Sequence, residues 1–126
     1  MRRKSLGNLG EKLALKHLKN KGYKILNRNF RSKLGEIDVI AIDSSSTISG
    51  KDTLVFIEVK ARWSKKFGLP EEGITSWKIR RIIKAGQYYK LLHPELPEAL
   101  RIDVVAIELS PAGGVEKIRI IKNITS

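Results

Sequence analysis

One apolar run most constrains the fold that this chain can adopt: LVFIEVKAR, at Leu54–Arg62. Four of its five uncharged residues before Lys60 are β-branched or aromatic, which is typical of a buried strand. The run nevertheless contains Glu58 and Lys60, two positions apart, and a strand turns such positions to the same face. Because burying charge is costly unless it is paired or binds a metal, this pair needs a partner or a chemical role.

The rest of the chain predicts a mixed α/β fold in the order α-β-β-β-α-β-β, and its 126 residues suit a single domain, 1–126. The predicted helices run from about Leu9 to Asn20, stopped by Gly22, and from a cap at Thr75 or Ser76 to about Leu92. The predicted strands are Tyr23–Arg31, Glu36–Asp43, Thr53–Ala61, Leu100–Leu109 and Val115–Ile121. Polar residues at 44–52 predict an antiparallel hairpin, and Arg62–Gly73 predicts a loop. We therefore expect a mixed sheet flanked by helices.

Periodicity also assigns residues to faces. Spacing of three and four predicts the inner face of the second helix as Ile79, Ile82, Ile83 and Gly86. Alternation in the second strand predicts one face of Ile37, Val39 and Ala41, and another of Glu36, Asp38, Ile40 and Ile42. Asp38 therefore repeats the anomaly of Glu58, a carboxylate within an apolar strand.

The charge balance points to a polyanionic partner. Lysine and arginine outnumber aspartate and glutamate by 25 to 13, which gives a formal net charge of +12. Such a field attracts nucleic acid first and anionic membrane second, although a lysine-rich surface that only aids solubility is the alternative. No apolar run approaches the ~20 residues that span a bilayer, and the basic N-terminus lacks a signal peptide's apolar core. With no cysteine to form disulfides or thiolate metal sites, we expect a cytoplasmic protein outside the membrane.

The hairpin would bring two carboxylates together. With its strands antiparallel, Asp38 lies opposite or diagonal to Glu58, within reach of a shared ligand. Neighbouring carboxylates repel unless a cation sits between them. Hard oxygen ligands, with the Val59 carbonyl as a third, suit Mg²⁺ or Mn²⁺. Lys60 would then face whatever the metal binds, and this is the arrangement that phosphodiester cleavage requires.

A structural explanation fits each of these residues taken alone. Glu58 and Lys60 would form a same-face ion pair on a half-exposed strand, and Asp38 would make the hairpin more soluble. The spacing of all three favours a nuclease site over these explanations. Asp103 lies in an apolar strand without such companions, so we expect a structural pairing with Arg101 on the same face.

Asp38 followed by Glu58-Val59-Lys60 resembles the PD-(D/E)xK motif of restriction endonucleases and archaeal Holliday-junction resolvases, with Ile37 in place of the motif's proline. The chain is more closely similar to the YraN-like family of small predicted endonucleases. The segments that carry this resemblance follow one another along most of the chain: Gly10-Glu11, Gly22-Tyr23, RNFR at 28–31, GEIDVIA at 35–41, VFIEVKAR at 55–62, FGLPEE at 67–72 and RIDVVAI at 101–107.

The resemblance implies a restriction-endonuclease-like fold and a Mg²⁺- or Mn²⁺-dependent endonuclease, with DNA favoured over RNA and branched DNA among the expected substrates. It also implies a two-fold homodimer, the form in which junction-cleaving relatives work, and an accessory catalytic role for Glu11 beside the metal. Helical periodicity separately turns Glu11 inward, where the helix dipole is the alternative reason for a carboxylate. The alternative function is a catalytically silent nucleic-acid-binding module or a basic adaptor with the same fold.

A basic surface beside the motif predicts contacts with nucleic-acid phosphates. The residues expected to make them are Arg62, Lys65, Lys66, Lys78, Arg81 and Lys84. Trp63 or Trp77 would stack on an unpaired base. Taken singly, each lysine is more often ordinary solvated surface, so the prediction depends on the position of the cluster next to the acid-x-Lys motif.

Overall fold

The computed structural model describes residues 3–44, 51–63 and 68–125, with side chains from residue 7 onward. Its helices and strands are α1 (Arg3–Asn20), β1 (Tyr23–Ser32), β2 (Gly35–Asp43), β3 (Thr53–Trp63), α2 (Ser76–Leu92), β4 (Ala99–Leu109) and β5 (Val115–Ile121). A 3₁₀ turn covers Pro70–Gly73. The predicted mixed α/β fold and its order are confirmed, whereas Lys65 and Lys66 lie outside the described residues. Neither described helix is long and apolar enough to cross a membrane.

The strands form one mixed sheet in the order β1-β2-β3-β4-β5. Three neighbouring pairs are antiparallel, including the predicted β2–β3 hairpin. β3 and β4 are parallel and paired from Thr53↔Ala99 to Trp63↔Leu109. Parallel neighbours need a crossover connection, and α2 lies in it. Since β3 continues to Trp63, Arg62 belongs to a strand and the prediction that placed it in a loop is wrong.

The two helices cover opposite faces of the sheet. The buried cluster under α1 contains Ala14, Leu15 and Leu18 of the helix with Val39, Ala41, Val55, Ile57, Val105 and Ile107 of the sheet. The cluster under α2 contains Ile82, Ala85 and Tyr89 of the helix with Ile37, Ile40, Leu54, Phe56 and Ile102 of the sheet. A strand buried on both faces reads as an unbroken apolar run, which explains the first half of β3.

The helix α2 starts and stops where its capping residues predict. Thr75 Oγ1 accepts a hydrogen bond from the Lys78 backbone N–H at 3.1 Å, and the helix ends at Leu92. The prediction that Ile83 faces the core is wrong, since 37% of Ile83 is exposed. Successive helix residues are rotated by about 100°, so a helix that turns Ile82 fully toward the sheet directs its neighbour outward.

Gly86 allows α2 to lie against the sheet, and Gly86→Ala is expected to destabilise the protein. A Cβ at this position would lie 2.7 Å from Phe56 Cε2, too close for any real contact. Overpacking of this kind costs roughly 1–3 kcal/mol. The matched control is Gly7→Ala in α1, where a Cβ meets nothing within 4 Å and helix propensity adds about 1 kcal/mol of stability. Urea unfolding should therefore shift in opposite directions for the two variants; equal shifts would contradict the packing described here.

A buried ionic cluster ties the starts of β1 and β4 to the end of β2. The predicted pairing of Arg101 with Asp103 is present, with Nε–Oδ1 and Nη2–Oδ2 distances of 2.8 Å. Arg101 Nη2 also donates to Asp43 Oδ2 at 2.6 Å, and the Tyr23 hydroxyl donates to Asp103 Oδ2 at 2.9 Å. Burial and the Asp103 carboxylate raise the pKa of Tyr23, which keeps this hydroxyl a donor. The cluster occupies the opposite end of β2 from Asp38.

Candidate active site

The strands β2 and β3 part at Asp38. Their backbone pairing ends at Val39↔Ile57. One residue further on, Asp38 Oδ2 accepts a hydrogen bond from the Val59 backbone N–H at 2.8 Å. The carboxylate therefore takes the place of a strand partner. Continued from Val39, the register sets Asp38 across from Glu58, as the hairpin predicted.

The faces of β2 change at the same point. Ile37 was expected to share a face with Val39, and this prediction is wrong: Ile37 packs under α2 with Ile40, whereas Val39 packs under α1. Between them, Asp38 lines a pocket against α1. Strict alternation holds only along a regular ladder, and the ladder to β3 ends at Val39.

The pocket beside Asp38 has a volume of about 410 Å³. Its lining comes from α1, β1, β2 and β3: Gly7, Asn8, Gly10, Glu11, Asn29, Arg31, Asp38, Val59 and Ala61. Gly10 allows α1 to approach β3, because a Cβ there would lie 3.2 Å from Ala61 Cβ. The next residue, Glu11, is thereby brought to the pocket, on the inner side that its periodicity predicted.

Glu58 is the buried acid of the site. Its exposed fraction is 5%, and its Oε2 accepts no hydrogen bond from any described residue. Burial, followed by the Asp38 carboxylate, raises the pKa of Glu58 to about 7, against the opposing effect of Lys78 and Lys60. A buried carboxylate oxygen without a donor is costly, and a cation would relieve that cost.

Neighbouring carboxylates also affect the pKa of Asp38. Burial raises the pKa of Asp38, and the carboxylates of Glu11 and Glu36 raise it further, while the Val59 N–H and Lys78 lower it. Negative charge from α1, β2 and β3 thus converges on one place. Because the pairing of β2 with β3 ends at Val39, Asp38 is accessible from the pocket that it lines.

Lys78 belongs to the site more closely than the sequence predicted. It was expected to contact phosphate on a surface, yet its Nζ lies 3.9 Å from Glu58 Oε2 and 4.0 Å from Glu36 Oε1. The first turn of α2 returns beside the end of β3, and the cap at Thr75 fixes that turn. Glu36 itself is exposed near the start of β2, and its Oε2 lies 3.6 Å from Arg31 Nε.

The donor set can be tested against a divalent metal. Within the described part of the chain, no three His, Asp or Glu side chains are grouped closely enough to hold an ion by themselves. Mg²⁺ needs less, since it binds through one or two carboxylates and keeps waters or substrate oxygens. Asp38 and Glu58, with the Val59 carbonyl, supply hard oxygens of that kind, and Glu58 Oε2 accepts no hydrogen bond from any described residue. These residues therefore fit the predicted ion.

Apart from Lys78, the predicted basic residues that the structure describes lie in two places. Arg62 lies at the end of β3 against Gly73, where its Nη2 would meet a Cβ at 2.5 Å. Arg81 and Lys84 line a separate pocket with Trp77, and the Arg81 guanidinium lies 5.0 Å from the centroid of the Trp77 ring.

Two further cations line the pocket of Trp77, Lys33 and Arg80. Neither was among the residues predicted from the sequence to contact phosphate. Arg80 follows Lys78 in a basic helix and could have been found from its neighbours. Lys33 lies in the β1–β2 turn, and nothing local links it to α2.

Removing the Glu58 charge is expected to change how stability depends on pH in metal-free protein. A folded pKa of about 7, above the ordinary glutamate value of 4.5, means that the folded protein retains a proton that the unfolded chain has released. Stability contributed by this group is therefore full below pH 4.5 and is lost as pH rises through 7. One pKa unit corresponds to about 1.4 kcal/mol, so Glu58→Gln should gain roughly 2–3 kcal/mol relative to wild type between pH 5 and 8.

The measurement is urea unfolding in EDTA at the two pH values. The exposed Glu98, changed to Gln, is the matched control and should show no such gain. A Glu58→Gln difference from wild type that is the same at both pH values would contradict the burial of this carboxylate.

Comparison with known proteins places the chain among uncharacterised bacterial relatives. The family model described as "Uncharacterised protein family UPF0102" matches residues 10–107, a span that contains Glu11, Asp38, Glu58 and Lys60. A UPF0102 protein of Caldicellulosiruptor saccharolyticus is 42% identical over 123 residues, covering 98% of both chains. A UPF0102 protein of Desulforamulus reducens is 38% identical over 124 residues, covering 98% of this chain and 97% of the relative.

A third relative, a UPF0102 protein of Clostridium botulinum, is 42% identical over 123 residues, covering 95% of this chain and 93% of the relative. The names of these relatives state no activity. The similarity to the YraN-like family, expected from the motifs, is confirmed by this match. Since the family model covers most of the chain and the relatives span nearly all of it, the protein belongs to the UPF0102 family.

Proposed function

We propose that this protein is a metal-dependent endonuclease that hydrolyses phosphodiester bonds, acting in the cytoplasm and on DNA in preference to RNA. The observation that supports this most is the meeting of Asp38 and Glu58 where β2 leaves β3. Lys60 follows Glu58 by two positions in the same strand. Two carboxylates crowded against one another suit the binding of a divalent cation, and an ammonium beside them suits the stabilisation of negative charge on a pentacoordinate phosphate.

Each residue has a distinct part in this proposal. Asp38 is fixed by the Val59 N–H, so its second oxygen is oriented without any ligand. Glu58 offers the oxygen that lacks a donor. Lys60 shares the Glu58 side of β3, where its charge lowers the pKa of that acid and would neutralise charge that develops on the phosphate.

Asp38, Glu58 and the Val59 carbonyl would hold Mg²⁺ or Mn²⁺, with Glu11 at the same pocket as the accessory residue. When bound, the ion supplies Lewis acidity toward the phosphate and lowers the pKa of a water molecule. The net charge of +12 favours association with a polyanionic substrate such as nucleic acid. Lys78 lies between Glu36 and Glu58, where its ammonium would also contact a phosphate of the substrate.

A catalytically silent nucleic-acid-binding module is the second candidate. Two observations favour it: no three His, Asp or Glu side chains group as a metal site in the described ranges, and Lys78 partly neutralises Glu58. Such a module would use the acids for structure and the basic surface for binding.

The test is a panel of labelled substrates: single-stranded, duplex, flap and four-way-junction DNA, and structured RNA. Each is incubated with Mg²⁺, with Mn²⁺ and with EDTA. We expect cleavage of at least one DNA that requires the ion and stops in EDTA. Binding across the panel without cleavage would contradict the endonuclease and support the silent module.

A further inference from the structure

A second pocket lies on the opposite face of the sheet from α1, between the β1–β2 turn and α2. Its volume of about 310 Å³ is at the lower end of ligand pockets. Its lining is Lys33, Leu34, Trp77, Arg80, Arg81 and Lys84. Gly35 lets the turn dock, because a Cβ there would lie 2.8 Å from the Arg81 carbonyl oxygen. The pocket is thus formed by two packed elements.

The chemistry of this pocket combines cations with an exposed aromatic ring. Four of its six lining residues are cations, none is acidic, and no described residue forms an ion pair with any of the four. Trp77 is 60% exposed, which is unusual for tryptophan. Arg81 lies over the ring at 5.0 Å, which fixes its orientation and leaves it accessible.

The pocket is formed by elements that also contribute residues to the candidate active site. Trp77 precedes Lys78, whose ammonium contacts Glu58 at 3.9 Å. On the turn side, Arg31 lines the pocket of Asp38, and Lys33 follows it by two residues. The helix α2 and the β1–β2 hairpin, which form this pocket, therefore also carry Lys78 and Arg31 of the candidate active site.

We propose that this pocket binds an unpaired nucleotide, with its base stacked on Trp77 and its phosphates held by the surrounding cations. Stacking needs a base whose face is free, which a continuous duplex does not offer. The substrate is thereby narrowed to nucleic acid with a single-stranded segment beside the cleaved bond. This inference rests on the proposed endonuclease function for its position, but its binding step needs no catalysis.

The test is fluorescence anisotropy in EDTA with two labelled probes, an oligothymidylate and a hairpin duplex of equal charge. Trp77→Leu should weaken binding of the single strand about 10-fold and leave duplex binding within about 2-fold, while Trp77→Phe retains single-strand binding. Lys84→Ala should reduce the salt slope for the single strand by about 0.7, whereas Lys16→Ala, on exposed α1 surface, should not. Circular dichroism verifies the fold of each variant.

Single-strand binding that is unchanged in Trp77→Leu, or equally weakened for the duplex, would overturn the proposal. So would a wild-type protein that fails to bind the oligothymidylate. The endonuclease proposal is tested separately. A protein that binds the single strand through Trp77 but cleaves no substrate on the panel would contradict only the catalytic proposal.

Discussion

Asp38→Asn and Lys60→Ala are each expected to lower the single-turnover cleavage rate by about 10²–10³-fold, the effect of losing one preorganised charge at a reacting phosphate. The Val59 N–H donates to Asp38 Oδ2 at 2.8 Å, and asparagine keeps an oxygen that can accept this hydrogen bond, so the local fold should persist. Lys60 lies beside Glu58 at the half-buried end of β3, and its loss removes the positive charge next to that acid. Substrate binding in EDTA should stay within about 3-fold, since neither residue lines the cationic pocket of Trp77.

The matched control for the first variant is Glu36→Gln. Glu36 is two residues from Asp38 on the same strand, but its side chain is 55% exposed and pairs with Arg31 and Lys78 at the surface. We expect its cleavage rate to remain within about 3-fold of wild type. If Asp38→Asn or Lys60→Ala cleaved at the same rate as Glu36→Gln, the catalytic role proposed for that residue would be contradicted.

Arg101→Met is expected to cost about 3–5 kcal/mol of unfolding free energy, the largest stability effect among these predictions. Arg101 bridges Asp43 and Asp103 at 2.6 and 2.8 Å, and both carboxylates are 0% exposed. Methionine has a similar length but leaves their charge without its main partner.

Arg31→Met provides the matched control, since Arg31 is 78% exposed and its ion pair with Glu36 spans 3.6 Å. Exposed pairs contribute about 0–1 kcal/mol. Urea unfolding of both variants at pH 7 measures the difference. If Arg101→Met unfolded within 1 kcal/mol of Arg31→Met, the cluster at the starts of β1 and β4 would not stabilise the fold as described.

The fold was predictable because its local signals agree with its packing. β5 has the predicted bounds, Val115–Ile121, and α2 begins after its Thr75 cap. α1 begins at Arg3, earlier than predicted, because the segment before Leu9 has no apolar periodicity to mark it. β3 extends past Ala61 to Trp63, because Arg62 and Trp63 continue the pairing with β4 although they lie outside the apolar run.

The candidate site was predictable only in part. The predicted hairpin placed Asp38 opposite or diagonal to Glu58, and the observed register, continued from Val39↔Ile57, sets the two residues across from each other. The orientation of Ile37 was not predictable, since it depends on where β2 leaves its neighbour. The contact of Lys78 with Glu58 was not predictable either, because it joins residues of α2 and β3 that are distant in the local pattern and meet only when the crossover packs on the sheet.

The buried cluster shows the same limit. Arg101 and Asp103 are two residues apart and were paired correctly from the sequence. Asp43 joins them from a strand that is not adjacent in sequence, 58 residues away from Arg101. Local pattern carries no information about such contacts.

The measurement that tests the central claim most directly is the single-turnover cleavage rate of a flap or junction DNA as a function of Mg²⁺ concentration. Wild type and Asp38→Asn would be purified in parallel, so that a contaminating nuclease appears equally in both. We expect a wild-type rate that rises with Mg²⁺ to saturation, vanishes in EDTA, and exceeds that of Asp38→Asn by about 10²-fold or more. Equal rates in the two preparations, or no cleavage at saturating Mg²⁺ or Mn²⁺, would contradict the assignment of Asp38 and Glu58 to phosphodiester hydrolysis.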